Sequence, residues 1–122
     1  MIKFPENSNR FYWTQHIKNK MLFYHLSSAQ ILRIFRSPDR REEGIAEDTA
    51  AAMKTRKKAN RKDSEELWIM YQLASQKPAR LKSKSSKVTM ISAWRYPGKT
   101  KPGDKPPIPA EILDELRMEG LL

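Results

Sequence analysis

The chain has 122 residues, the size of one domain, and its 24 lysines and arginines against 14 aspartates and glutamates give a formal charge of +10. It contains no cysteine and two histidines, which excludes disulfides and cysteine-based metal sites and leaves too few nitrogen ligands for a zinc centre unless carboxylates complete it. A charge surplus of this size favours a polyanionic partner, because counterions released from phosphate drive basic proteins onto nucleic acid. An anionic membrane would call for a basic amphipathic helix, and the basic residues here lie mostly outside the apolar helical segments. No apolar run approaches the roughly 20 residues of a membrane span, and MIKFPENSNR has no signal-peptide core. The expectation is a soluble cytoplasmic protein with no membrane association, no metal and no cofactor.

Residues 1–9 are polar, contain Pro5 and read as a flexible lead-in. RFYW, residues 10–13, has strand propensity. Thr14 is placed to cap a helix starting at Gln15, along which Ile17, Met21 and Tyr24 recur at helical spacing. A stronger start signal follows. Ser27 with Gln30 forms a capping box, and Leu26 with Ile31 a hydrophobic staple, so a second helix should run from Ser28 to about Arg36. Pro38 ends it, since Ser37 before a proline is biased away from the helical region.

From Arg41 to Lys54 the alanines favour helix, but Gly44 and Thr49 do not and no apolar face spans the segment. It reads as one or two strands ending near Lys54. ELWIMYQL, residues 66–73, is a clear strand with Leu67, Ile69, Tyr71 and Leu73 on one face. KVTMISAWRY, residues 87–96, alternates in the same way, placing Val88, Met90, Trp94 and Tyr96 on one side and Thr89, Ile91 and Arg95 on the other. These two strands should pair antiparallel, because the intervening loop is ill-suited to a crossover helix. Five prolines between residues 97 and 109 make a semi-extended linker, followed by a short helix carrying Ile112, Leu113 and Leu116 and stopped by Gly120. The architecture expected is α+β: two N-terminal helices packed on a small antiparallel sheet over residues 10–97, and a proline-rich tail with a short amphipathic helix over 98–122.

The basic residues concentrate in two stretches. KTRKKANRK, residues 54–62, supplies Lys54, Arg56, Lys57, Lys58, Arg61 and Lys62. The stretch from 77 to 87 supplies Arg80, Lys82, Lys84 and Lys87 among others. Charged turns are common and specify no ligand singly. Two of them on a strongly basic chain, with Tyr12, Trp13, Trp68, Trp94 and Tyr96 nearby as possible base-stacking rings, point to nucleic acid. For any single ring, a place in the core is the commoner role. Antiparallel pairing returns Arg95 to the neighbourhood of the 54–62 stretch, where its guanidinium would suit bidentate phosphate contact.

His16 is the best proton-transfer candidate. At a helix start, the exposed N–H groups and Lys20 one turn on disfavour the imidazolium and favour the neutral base. The competing role is a structural one, with His16 satisfying a carbonyl or packing on Trp13. His25 reads as a loop residue ahead of the second helix.

YWTQHIKNKM, followed by LSSAQILRIFRSPDRRE and strands ending in VTMISAWR, resembles the small bacterial domains of unknown function related to the BrnT-type and RelE/ParE-type toxins. The residues carrying the resemblance are Thr14, His16, Lys20 and Met21 at the helix start, Leu26 and Ser27 before the second helix, Pro38 and Asp39 at the turn, and Val88 to Ile91 in the last strand. It spans residues 11 to about 96, and Lys20 stands where such sequences usually have arginine. The resemblance implies a compact toxin-like fold. RelE-like members cleave ribosome-bound mRNA without metal, using basic and tyrosine side chains, whereas ParE-like members inhibit gyrase. The functional expectation is a small nucleic-acid-interacting protein, preferring RNA to DNA. If it is a metal-independent ribonuclease, His16 or Tyr71 would transfer protons, with Arg95 and Lys20 stabilising phosphate charge. The alternatives are a non-catalytic RNA- or DNA-binding module and a protein-interaction module for an acidic antitoxin-like partner.

Overall fold

The computed structural model describes residues 5–45, 48–57, 64–73 and 88–121. The elements in chain order are β1 (Phe11–Trp13), α1 (Gln15–Tyr24), α2 (Ser28–Arg36), β2 (Arg40–Glu43), β3 (Ala50–Lys57), β4 (Ser64–Leu73), β5 (Val88–Pro97) and α3 (Ala110–Met118). The fold is α+β, with both helix starts as the sequence predicts. The Thr14 hydroxyl accepts the Ile17 N–H, and the Ser27–Gln30 box is formed in both directions. Leu26 and Ile31 are fully buried in one cluster, as a staple requires. His25 ends α1 in the left-handed region, at φ 55°.

The sheet has five strands in the order β1, β5, β4, β3, β2. Strands β2 to β5 form the expected antiparallel meander, but β1 pairs parallel with β5, Phe11 opposite Val88, so the sheet is mixed rather than antiparallel. The ambiguous 41–54 segment forms two strands. Gly44 lies in the turn between them because a side chain there would collide with Thr49, whose carbonyl accepts the Gly44 N–H. Strand β3 runs past Lys54, so Arg56 and Lys57 are strand residues and not part of a loop.

A register shift between Met70 and Tyr71 sets Met70 opposite Ser92 but Tyr71 opposite Met90, leaving Ile91 as an extra residue in β5. The bulge breaks the simple alternation read from the sequence. Val88, Met90 and Ala93 join the core beneath α1 and α2, whereas Ile91 and Trp94, with Tyr96 against them, join a second core on the other face. Trp94 therefore does not share a side with Val88 and Met90.

That second core explains the C-terminal segment. Ile112 and Leu116 of α3 are fully buried against Met53, Trp68, Met70, Ile91 and Trp94. The rings of Trp68 and Trp94 stack with centroids 6.1 Å apart and planes 5° from parallel. The proline-rich stretch forms no helix or strand, as expected of a linker, but it turns at 102–104 and is docked. Thr100 donates from its N–H and its hydroxyl to Glu66, which also accepts the Trp68 indole N–H. Arg40 donates to the Thr100 carbonyl and hydroxyl, its guanidinium lying 5.1 Å from the Trp68 ring centroid. The Gly103 N–H donates to Glu42 at 2.7 Å. Both faces of the sheet are thus covered, by α1 and α2 on one side and α3 on the other. No helix among the described residues is long and apolar enough to cross a membrane.

Because α3 completes a core, Leu116→Ala should lower unfolding free energy in urea by about 2–5 kcal/mol, as for other large-to-small core changes. Met118→Ala, at a site 88% exposed, should stay within about 0.5 kcal/mol. Equal, small effects from the two would show that α3 is not part of the cooperative unit.

Candidate functional site

The four residues expected to act in catalysis do not converge. His16 is 2% exposed and lies between three elements. Its Nδ1 is 2.9 Å from Glu119 and 3.5 Å from Glu115 of α3, and its Nε2 is 2.8 Å from the Ser92 hydroxyl of β5. A carboxylate only accepts, so Nδ1 carries the hydrogen and Ser92 donates to Nε2 of the neutral ring. Lys20 is held by Glu115 at 2.7 Å. Burial holds the His16 pKa below 6.5, outweighing the attraction of Glu119 and Glu115, and Lys20 adds a lesser push in the same direction. The neutral ring is thus as the sequence predicts, but the chief cause is desolvation by burial.

Ser92, His16 and Glu119 have the connectivity of a nucleophile, base and orienting acid. Ser92 is 0% exposed, however, and sits at the bulge. With neither hydroxyl nor ring open to solvent, the cluster acts as a clasp joining α1, β5 and α3.

Tyr71 lies in the core under α2, edge-on to Phe35 with centroids 4.9 Å apart. Arg95 does return to the row of Leu67 and Lys54, but its guanidinium is engaged on every side. It donates to the carbonyls of Tyr24 and His25 and pairs with Glu65 at 2.6 Å. It ties the end of α1 to the sheet and is not free for phosphate. Trp13, Trp68 and Trp94 are core residues, while Tyr12 is exposed.

The basic residues of β3 present a different picture. Lys54, Thr55 and Arg56, with Leu67 of β4 and Gln30, Arg33 and Ile34 of α2, line a cleft of about 380 Å³. Lys54 stands 3.7 Å from Asp39, whose carboxylate also accepts the Thr55 N–H. Arg56 is opposite Glu65 in the ladder, but Glu65 is already engaged by Arg95, which leaves Arg56 without an acid among the described residues. Among the described arginines, Arg40, Arg95 and Arg117 pair with carboxylates, Arg41 donates to the Phe35 carbonyl and Arg10 lies over the Phe11 ring. Arg33, Arg36 and Arg56 make none of these contacts, and two of the three line the cleft. Lys57, at the end of β3, is exposed. Lys58, Arg61, Lys62, Arg80, Lys82, Lys84 and Lys87 lie outside the described residues.

Arg33, Arg36 and Gln30 were missed by reading charge runs alone. The signal available was R-x-x-R inside a helix whose apolar positions are all accounted for, which sets two arginines one turn apart on its outer side. No group of histidines and carboxylates able to hold a metal ion occurs among the described residues. No family model, curated protein or solved structure matches the chain.

A lowered His16 pKa means that the unfolded chain takes up a proton the folded chain resists, so stability should fall as pH drops below 6.5. In His16→Gln that part of the slope should flatten in urea titrations across this range; an unchanged slope would assign the pH dependence to other groups. Arg95→Ala strips a nearly buried Glu65 of its partner and orphans two carbonyls. It should cost about 2–4 kcal/mol in unfolding free energy, and a loss below about 0.5 kcal/mol would show that these bonds do not hold α1 in place.

Proposed function

We propose that the protein is a nucleic-acid-binding module that takes a sugar–phosphate backbone in the α2–β3 cleft, with RNA the preferred ligand. The observation that carries this reading is the pair of arginines, Arg33 and Arg56, that line the cleft without an acid, hydrogen-bond or ring partner among the described residues. A guanidinium presents donors in a rigid fork that fits phosphate oxygens. Lys54 adds a third cation, and Ile34 and Leu67 give the cleft an apolar wall against which a sugar or base can rest. Thr55 and Gln30 bring the polar groups that a 2′-hydroxyl, both donor and acceptor, would engage. The formal charge of +10 supplies long-range attraction to the same ligand.

We read the module as binding without cleaving. None of His16, Lys20, Tyr71 and Arg95 lines the cleft, and each has a structural role elsewhere. A relationship to the BrnT- and RelE-type toxins is supported by the two capped helices that precede the antiparallel meander. The helix α3 over the second sheet face lies outside the resemblance. An acidic protein partner would meet the same cations, but the apolar side of α3 is occupied by its own sheet and does not offer a second docking face.

Fluorescence anisotropy with labelled single-stranded RNA should show binding at low salt, with log K falling linearly as log salt rises. The double variant Arg33→Gln/Arg56→Gln should weaken binding at least about tenfold, with the salt slope flattened by roughly 0.7 for each lost phosphate contact. Equal affinity for RNA and DNA would remove the preference and leave the cleft. A chain that binds neither at low salt would overturn the reading in favour of an acidic partner protein.

A further inference from the structure

Arg33 lines two concavities. One is the α2–β3 cleft. The other, about 420 Å³, runs along α2 and is lined by Ala29, Leu32, Arg33, Arg36 and Ser37. Among the described residues, all three arginines without partners are thereby accounted for: Arg56 in the first concavity, Arg36 in the second and Arg33 in both. Arg33 and Arg36 are one helical turn apart, on the side of α2 away from the buried Ile31 and Ile34. Their place in the last turn of α2 suits the negative end of the helix, but that role requires no concavity and no continuity with Arg56 on a neighbouring strand.

We infer, resting on the nucleic-acid reading of the cleft, that the bound strand does not end there but crosses α2 into this groove, with Arg33 at the crossing and Arg36 as a second phosphate subsite. The ligand class is then a phosphodiester polymer and not a mononucleotide. A single nucleotide would satisfy Arg56, Arg33 and Lys54, and only a chain of linked phosphates would also reach Arg36.

The test compares Arg36→Gln and Arg33→Gln in the full chain, titrated with labelled oligouridylates of increasing length. Both side chains are exposed, so the circular dichroism of both variants should match the parent. Arg33→Gln should bind more weakly at every length. Arg36→Gln should match the parent on the shortest oligomers that bind, fall about tenfold on long ones, and lose roughly 0.7 of salt slope only there. If Arg36→Gln binds long strands like the parent while Arg33→Gln is weakened, the strand stays in the cleft and the inference fails with the cleft reading intact. If Arg36→Gln weakens binding equally at all lengths, Arg36 belongs to the first subsite and the continuation is overturned. If neither substitution weakens binding, the cleft reading itself fails, and this inference with it.

Discussion

At Ile91, strand β5 carries one residue more than β4 does opposite it, and the rest of the molecule is arranged around that mismatch. A bulge reverses which face each later side chain takes. Without it, Trp94 would fall beneath α1 and α2, and Ala93 and Arg95 on the other face. With it, Trp94 stacks on Trp68 to make the apolar bed for α3, and Arg95 reaches the last turn of α1. The bulge also anchors the start of α1. The Thr14 N–H donates to the Met90 carbonyl and its hydroxyl to the Ile91 carbonyl at 2.9 Å, while the same oxygen accepts from Ile17. From there α1 runs beside the part of β5 that the short β1 leaves uncovered, touching Ser92 through His16 and Arg95 through the carbonyls of Tyr24 and His25. One irregularity in one strand thus fixes a helix start, a second hydrophobic core and the docking of α3.

Features set by neighbours in the chain were legible. Thr14, Ser27 and Gln30 act within a turn of themselves, so their caps could be placed to the residue. The 66–73 strand has a pattern strong enough to stand alone, although its Trp68 and Met70 fill the second core and its burial on both faces was not foreseen. Features set by distant pairing were not legible. Strand β2 reads RREE and has no apolar residue to alternate; it exists because Arg40 to Glu43 find Met53 to Ala50 across the turn. The bulge leaves no mark in KVTMISAWRY, which alternates plausibly without it. The docking of α3 depends on Thr100 meeting a buried carboxylate on another strand, and nothing local to the proline-rich stretch announces Glu66.

His16 shows the same division at a single residue. The electrostatics of a helix start give the right direction for its pKa. The dominant cause is its burial under α3, which sequence spacing cannot reveal. Of the candidate site, Lys54 and Arg56 were visible as part of a charge run, whereas their partner Arg33 is 21 residues away from Lys54 in a helix. Arg95 misled for an instructive reason. The row to which it returns in the sheet was read correctly, but the bulge puts it on the face of Val88 and Met90 rather than that of Ile91, and a row alone does not say whether a guanidinium is free. Glu65 engages it, and the same carboxylate is thereby unavailable to Arg56 across the ladder. The acid that anchors α1 to the sheet leaves the cation of the cleft exposed.

The location of the cleft follows from the way the sheet is covered. Among the described residues helices pack on both faces of the sheet, and the cleft lies where these layers end. Two stops in the chain create such a place. Pro38 ends α2 after Arg36, and β2, only four residues long, pairs with β3 no further than Met53. Strand β3 continues past β2 through Lys54 to Lys57, and among the described residues this part of its edge is met at Thr55 by the Asp39 carboxylate. A protruding strand edge is an aggregation hazard, and cationic residues along it are a common protection against pairing with another sheet. Here the same cations stand beside Arg33 of α2, which pairs with no acid among the described residues, so the charge along the edge also furnishes one wall of the cleft. Protection of the edge alone would be served by any charge of either sign along β3. It gives no reason for arginines on the facing helix that pair with no acid among the described residues, and that is the observation on which the proposed polyanionic ligand rests.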